Sequence, residues 1–305
     1  MTSAPPHPLD AVFAVLTRRQ PYLRLSRAGG AGAPPPGDRP RLSELCADAE
    51  AMRALLERPR RWEPRLQPKG LAASLVITAA SPASTLAAAC LLGAGVAPRL
   101  GAGATRFAVV AASATTERDP VHLDLLDPAF DVEAGQGPFA VHPDARPAPD
   151  REALRDRMRE ELEAFLGPLI EAAHRLTRLS RRAMWRLAGD AVAGEFLEVG
   201  RALGREEAAR ADALGILKRP GAPMTNPQMR FLEAEVRDPA RPDAPPLRRA
   251  FRARGGCCLW KDLPGAALCT TCVLRPEAEM RAIVEAGLRR RLVPPPAGAG
   301  PLAEP

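Results

Sequence analysis

The sequence predicts an α+β fold, with a helix-rich core packed on a small antiparallel sheet and a C-terminal loop built around cysteines. The helical part is indicated by residues 151–166, where apolar residues recur at three- and four-residue spacing and form one stripe. The sheet is indicated by residues 106–113 and 121–126, two short apolar stretches separated by a polar turn. Helices and an antiparallel hairpin in separate parts of one chain are typical of α+β proteins.

The N-terminal part is predicted to contain short helices on either side of a linker. Residues 10–25 have a helical pattern that breaks near Pro21, and residues 28–40 are rich in Gly, Ala and Pro, a composition typical of flexible linkers. Ser43 is predicted to cap the next helix, which we expect to end before Pro59.

An uncharged stretch at residues 70–98 is long enough to cross a bilayer. Small and weakly polar residues dominate this stretch, and Ser81-Pro82 interrupts it, whereas Leu-rich segments insert into membranes far more readily. We therefore predict a buried core segment and no membrane span. Residues 71–78 fit a helix or a strand, and alanines favour a helix over residues 82–92.

Four helices and a closing helix are predicted in the C-terminal half. After a loop at residues 135–149, apolar periodicity indicates helices over residues 151–166, 172–179, 183–203 and 206–217. A proline-rich hinge at residues 237–246 precedes the closing helix over residues 277–292. These boundaries divide the chain into an N-terminal helix with linker (1–40), a core (41–246), a cysteine-bearing segment with its closing helix (247–292) and a disordered tail (293–305).

Composition indicates a globular chain with a moderate basic excess. Of its 305 residues 46% are hydrophobic and 26% charged, and the formal net charge is +7. Acidic residues are interspersed with the basic ones and aromatic residues are sparse, which argues against nucleic-acid binding. A basic surface suits an anionic small molecule or an acidic protein partner. The first residues lack the pattern of a secretory signal, so we expect a cytoplasmic protein.

Four of the six cysteines lie within residues 257–272, as an adjacent pair followed by a CxxC. A structural disulfide is disfavoured in the cytoplasm, and a thioredoxin-type CxxC would open a helix after a strand. A Cys₄ zinc site is compatible with four thiolates, although such sites usually have two CxxC-like knuckles. A [2Fe–2S] cluster shares four thiolates between two irons, so the spacing favours the cluster and leaves zinc open. Cys46 and Cys90 lie in apolar patterns and are expected to be small buried residues.

The arrangement CC-x10-C-x2-C, preceded by arginines and containing Leu263-Pro264-Gly265, resembles the [2Fe–2S] motif that ends the FhuF-type ferric siderophore reductases. The apolar segment, the hairpin and a helix containing Met184-Trp185 follow a similar order. The chain departs from the family pattern at Gly255-Gly256, at Trp260-Lys261-Asp262 and at Val273, and it continues well beyond the last cysteine. The resemblance implies that the cluster is held by Cys257, Cys258, Cys269 and Cys272.

The resemblance also implies a function, namely the reduction of ferric siderophores in the cytoplasm by one-electron transfer. The expected partners are the ferric chelate and an electron donor such as a flavin reductase or a ferredoxin. We expect no catalytic residue beyond the cluster. Candidate docking residues for the chelate or the donor surround the cysteines, namely Arg248, Arg249, Arg252, Arg254, Trp260 and Lys261.

Other interpretations remain open from the sequence. The cationic side chains near the cysteines can serve only to offset the negative charge of a thiolate site. Trp185 is expected to pack in the core. Instead of a reductase, the protein could be a zinc-stabilised binding protein without redox activity, or an iron–sulfur sensor or carrier.

Overall fold

The computed structural model describes residues 6–30, 39–111, 119–135, 137–241 and 243–292, and it has the predicted α+β architecture. Eight α-helices and three small sheets lie within these residues. The helices form the main core, and the sheets pack around them. The N-terminal helix α1 (Pro8–Arg19) contributes Leu9 and Phe13 to the same core as the later helices.

Helix α4 (Pro68–Ala89) is the central helix of this core. Its apolar side chains cover its whole circumference, which is typical of a helix buried on all sides. It continues as a π-helical turn over Cys90–Ala94. The combined stretch Pro68–Ala94 is the one helix of the described chain long and apolar enough to cross a membrane. Its most apolar 18-residue window has a mean hydropathy of 1.8, and 78% of that window is buried inside the fold. Burial of this stretch matches the expected core segment.

Helix α5 (Arg151–Thr177) is a single long helix, whereas the sequence analysis predicts two helices over residues 151–166 and 172–179. Pro168 lies inside it. The buried stripe continues through Leu169 and Ile170 without a break, so packing outweighs the loss of one backbone hydrogen bond at the proline. The next two helices, α6 (Arg181–Ala202) and α7 (Glu206–Leu217), lie within two residues of the predicted bounds.

The predicted hairpin is present in the first sheet. Strand β3 (Thr105–Val109) pairs antiparallel with β4 (Val121–Leu125), and the predicted turn between them falls mostly on residues 112–118, outside the described residues. The sheet also contains β1 (Leu23–Arg27), which runs parallel to β4. The helix predicted over residues 10–25 is therefore wrong in its second part, because α1 ends before Pro21 and the chain continues as a strand.

The second sheet consists of β2 (Val96–Pro98), β5 (Phe130–Glu133) and β6 (Ala145–Ala148). Strand β5 pairs antiparallel with β2 and parallel with β6. Strand β6 lies within residues 135–149, which the sequence analysis assigns to a loop. Both three-stranded sheets are mixed, so the sheet part is less regular than the predicted antiparallel arrangement.

The predicted helix that begins near Ser43 is divided into α2 (Leu42–Ala47) and α3 (Ala49–Glu57). Asp48 separates them, and its carboxylate accepts hydrogen bonds from the first backbone N–H groups of α3 at 2.9 and 3.1 Å. The predicted cap at Ser43 is wrong, because α2 already begins at Leu42. Of the predicted linker over residues 28–40, residues 31–38 lie outside the described chain.

A second hairpin forms near the C-terminus from β7 (Arg230–Val236) and β8 (Leu247–Ala253). The proline-rich stretch expected to be a hinge connects these paired strands, so the hairpin crosses the segment boundary that the sequence predicts at residue 247. Helix α8 (Glu277–Leu292) has its predicted bounds and packs on β7. A small separate core joins them, made of Leu232, Ala234, Val236, Ala253, Met280, Val284 and Leu288. The predicted tail over residues 293–305 lies outside the described residues.

Candidate functional site

The cysteine segment connects β8 to α8. None of its four cysteines forms a disulfide. The sulfur atoms of Cys258 and Cys269 lie 3.4 Å apart. Cys258 and Cys272 are 8% and 5% exposed, whereas Cys257 and Cys269 are partly exposed. The segment therefore contains one close pair of thiols, with the other two cysteines nearby in the same loop.

The four thiols do not converge around a single metal position. Among the described residues, no three His, Cys, Asp or Glu side chains converge where one metal ion could bind. Two thiolates bound to one tetrahedral metal at about 2.3 Å lie roughly 3.8 Å apart, which is close to the separation of Cys258 and Cys269. The separation of this pair is therefore close to that of two ligands of one metal atom.

The Cys258–Cys269 pair has an uneven charge distribution. A hydrogen bond from the Cys269 thiol lowers the pKa of Cys258 to about 5, with help from the backbone N–H of Trp260 and the nearby Arg254 and against the effect of burial. The same hydrogen bond raises the pKa of Cys269. These opposite shifts favour the thiolate form of Cys258 over that of Cys269, and a thiolate is the form that binds soft metals.

A buried carboxylate anchors the start of the cysteine segment to the helical core. Asp190, in the middle of α6 and 1% exposed, accepts hydrogen bonds from the N–H groups of Gly255 and Gly256 at 2.8 and 3.0 Å. Asn226 donates to the same carboxylate at 3.2 Å. Burial raises the pKa of Asp190, while Arg252 and the two backbone N–H groups act in the opposite direction. The carboxylate therefore fixes the backbone immediately before Cys257.

The close approach of the backbone to Asp190 leaves little space for side chains at Gly255 and Gly256. A Cβ atom on Gly255 would lie 2.0 Å from the side-chain oxygen of Asn226. A Cβ atom on Gly256 would lie 3.1 Å from the backbone of Arg186 and Leu187. Gly255-Gly256, one of the departures from the family pattern, thus permits a close approach of the chain to α6 that larger residues would prevent.

Arg275 and the backbone hold the CxxC turn. The Cys272 N–H donates to the Cys269 carbonyl at 3.1 Å. The Arg275 guanidinium donates to the carbonyls of Cys269 and Leu268, both at 2.9 Å, and forms an ion pair with Glu279 of α8. The sequence analysis does not identify Arg275 or Asp190, although a lone acidic residue within the apolar run around Asp190 is a recognisable signal.

The predicted docking residues are separated by the structure. Arg248 is exposed and forms an ion pair with Glu235 at 2.8 Å. Lys261 forms an ion pair with Asp262, which raises the pKa of the lysine. Trp260 is partly buried against the main core. Arg248 and Lys261 are thus each paired with a neighbouring carboxylate, and Arg254 is the predicted cation that acts on the pKa of Cys258 directly.

Arg249 and Arg252 line a cavity of about 320 Å³, here called the arginine pocket. Thr270 and Thr271, the two residues between Cys269 and Cys272, form part of its wall. Its remaining charged residues are Arg201, Arg291, Glu195 and Glu198. Four guanidinium groups against two carboxyls make the pocket cationic. Arg201 lies far before the cysteine motif in the sequence, and Arg291 lies beyond its end. The spacing of the cysteines therefore gives no indication that these two arginines belong to the pocket.

Arg252 connects the pocket to the anchor. Its guanidinium donates to the backbone carbonyl of Asp190 at 2.7 Å and packs over Gly194, where a Cβ atom would lie 3.0 Å from it. Burial lowers the pKa of Arg252, and Arg254 acts in the same direction. Trp185, expected to pack in the core, is partly buried against it.

Comparison with known proteins does not assign this chain to a family. No family model matches it, and no curated protein is significantly similar to it. The resemblance described from the cysteine motif remains a prediction that depends on those residues.

Proposed function

We propose that this protein is a ferric-siderophore reductase that holds a [2Fe–2S] cluster on Cys257, Cys258, Cys269 and Cys272. The observation that carries the proposal is the close pair of Cys258 and Cys269, 3.4 Å apart and placed beside two further cysteines in one anchored loop. Four thiols without a neighbouring histidine form a soft donor set that suits iron–sulfur clusters.

The surroundings of the pair support a cluster more than a single zinc ion. Hydrogen bonds to sulfur and nearby positive charge set the potentials of iron–sulfur sites, and Cys258 has both, from the Trp260 N–H and from Arg254. Thiolate ligands must stay reduced to bind a cluster, and the cytoplasm keeps thiols reduced, so we propose a cytoplasmic protein.

The proposed reaction depends on the difference between two oxidation states of iron. Ferric iron is a hard cation that anionic oxygen ligands bind tightly, and one added electron gives ferrous iron, which the same ligands bind weakly. A [2Fe–2S] cluster held by Cys257, Cys258, Cys269 and Cys272 would supply one-electron redox chemistry at this site, and the electron would come from a donor such as a flavin reductase or a ferredoxin. The protein residues need to position the chelate, and they need no acid–base group.

The arginine pocket is the proposed docking site for the anionic edge of the chelate or of the donor. Its wall includes Thr270 and Thr271, so a bound anion would lie against the turn between two of the ligands. Arginine pairs with carboxylates through two parallel hydrogen bonds, which orient as well as attract them.

The test begins with protein purified without oxygen. We expect a red-brown protein with about two irons and two sulfides per chain. After chemical reduction, stopped-flow mixing with ferric siderophores should reoxidise it, and a colorimetric trap should capture one ferrous ion per electron.

Other outcomes discriminate the alternatives. A colourless protein with one zinc per chain would establish the zinc-stabilised binding protein. A normal cluster that exchanges electrons with small dyes but with no ferric siderophore would indicate a sensor or a carrier instead.

A further inference from the structure

A second cavity, largely apolar, opens between α1, the π-helical turn after α4, and α6. Its volume is about 500 Å³, within the range of roughly 300–1,000 Å³ found for small-molecule sites. Val12, Leu16 and Val199 contribute to its walls. Val15 and Leu203, which also line it, are 41% and 43% exposed. We call it the apolar cavity.

Small residues create the space. The apolar cavity is lined from α1, α4, the π-helical turn and α6 by the small residues Ala11, Ala89, Gly93 and Ala202. A Cβ atom on Gly93 would meet only Leu203, at 4.0 Å, so the wall is not in close contact with anything opposite. Apolar walls that face no partner atoms forfeit dispersion contacts. A chain of apolar atoms bound in the cavity would restore these dispersion contacts, and its own apolar surface would be removed from water.

The charges at its edge indicate which polar group a ligand would carry. Arg19, in the last turn of α1, is exposed and makes no side-chain hydrogen bond or ion pair within the described part of the chain. Glu198 is already paired with Arg201 at 2.5 Å. The buried carboxyl of Glu195 accepts a hydrogen bond from the Thr85 hydroxyl at 2.8 Å. The cation at the edge thus remains available for an anion.

We propose that the apolar cavity binds an amphipathic anion of the fatty-acid type, with the acyl chain inside and the carboxylate at Arg19. This site is separate from the proposed reductase function and does not depend on it. It shares Glu195 and Glu198 with the arginine pocket, so the two cavities are neighbours along α6.

The test is displacement of the neutral fluorescent probe N-phenylnaphthylamine from the full-length protein as purified, whatever metal it holds. Decanoate should displace it, and octanoate should be roughly tenfold weaker, because two methylene groups fewer are buried. Arg19→Gln should weaken decanoate about two- to fivefold, as expected for an exposed ion pair, and leave decanol unchanged. Arg18→Gln, which removes a neighbouring exposed arginine that does not line the cavity, should alter neither ligand.

A second matched pair tests the cavity itself. Ala11→Trp should weaken the probe and decanoate at least tenfold by filling the space. Ala14→Trp, on an exposed position of the same helix outside the cavity, should leave both unchanged. Equal effects of the two tryptophans, or no saturable binding of probe and decanoate, would overturn the proposal. Binding that appears only after deletion of residues 293–305 would overturn it as well, by identifying the C-terminal residues as the occupant.

Discussion

The carboxylate of Asp190 accepts the backbone N–H of Gly255 at 2.8 Å, so the middle of α6 is joined directly to the chain that leads into the cysteine pair. The contact is buried, and Asn226 completes it by donating to the same carboxylate. A buried and fully hydrogen-bonded carboxylate holds its partners in one arrangement more firmly than a surface contact would. The position of Cys257 and Cys258 therefore depends on a helix that lies far from them in the sequence.

Gly255→Ala tests this dependence. The added Cβ would overlap the side-chain oxygen of Asn226, so we expect unfolding free energy to fall by about 1–3 kcal/mol and metal content to fall with it. Chemical unfolding and metal analysis measure the two effects. Gly103→Ala is the matched control, since nothing lies within 4 Å of its Cβ position. If Gly255→Ala retains full stability and metal, the close packing described here is incorrect.

Each of the four cysteines of the segment should be needed for the visible cluster. Serine at position 257, 258, 269 or 272 should abolish or strongly weaken the visible absorption, because each thiolate is taken as a ligand. Cys46→Ser and Cys90→Ser are the controls, since both thiols are buried elsewhere in the main core. Absorption spectra and iron content of the six variants decide the point. An unchanged spectrum in Cys257→Ser would remove that residue from the ligand set.

The arginine pocket should govern the reaction with charged chelates. We expect the double variant Arg249→Gln/Arg291→Gln to react about three- to tenfold more slowly with anionic ferric chelates, and added salt should narrow the difference. Stopped-flow reoxidation rates with an anionic and a neutral chelate measure this effect. The matched control is Arg248→Gln/Arg290→Gln, which removes the same charge from adjacent positions outside the pocket. Equal slowing by both variants would indicate a general charge effect without a docking site.

Glu195 predicts a pH dependence of stability. Burial raises the pKa of this carboxyl from its usual 4.5, against the effects of Thr85 and Arg252. The folded state therefore retains the proton to higher pH than the unfolded state, and the free energy of unfolding decreases as pH rises from 4.5 through the raised pKa. Glu195→Gln cannot titrate, so its stability relative to the wild type should increase over that window.

Urea unfolding at several pH values from about 5 to 8 measures this difference. Glu198→Gln, which removes a carboxyl exposed on the same helix, is the control for loss of charge alone. A stability difference between Glu195→Gln and the wild type that stays constant with pH would contradict the raised pKa.

Local patterns in the sequence predict the elements whose stabilising contacts are local or strongly periodic. Helix α7 and helix α8 are found at their predicted bounds, and the β3–β4 hairpin joins neighbouring segments across a polar turn. Strand β1 is missed because its partner, β4, lies far along the chain, and a five-residue strand carries little signal of its own. The division of α5 into two helices is wrong because Pro168 is a strong local helix-breaking signal, which tertiary burial of the surrounding residues overrides.

For the site, the sequence could predict only which residues are involved and how far apart they lie along the chain. The cysteine pattern identifies the four thiols, and the arginines near them suggest positive charge. The sequence does not indicate that Arg248 faces Glu235 while Arg249 lines a pocket, because that division depends on the pairing of β8 with β7. The link between Asp190 and Gly255 is equally invisible, since it joins residues 65 positions apart.

Chain order decides when each part of the site can form during synthesis. Asp190 and Asn226 precede all four clustered cysteines in the chain, so both side chains of the anchor are synthesised before Gly255. Delivery of iron and sulfide would then be a late step. If the cysteines hold a cluster as proposed, molecules that lack it would leave the partly exposed thiols of Cys257 and Cys269 open to oxidation, while Cys258 and Cys272 stay buried.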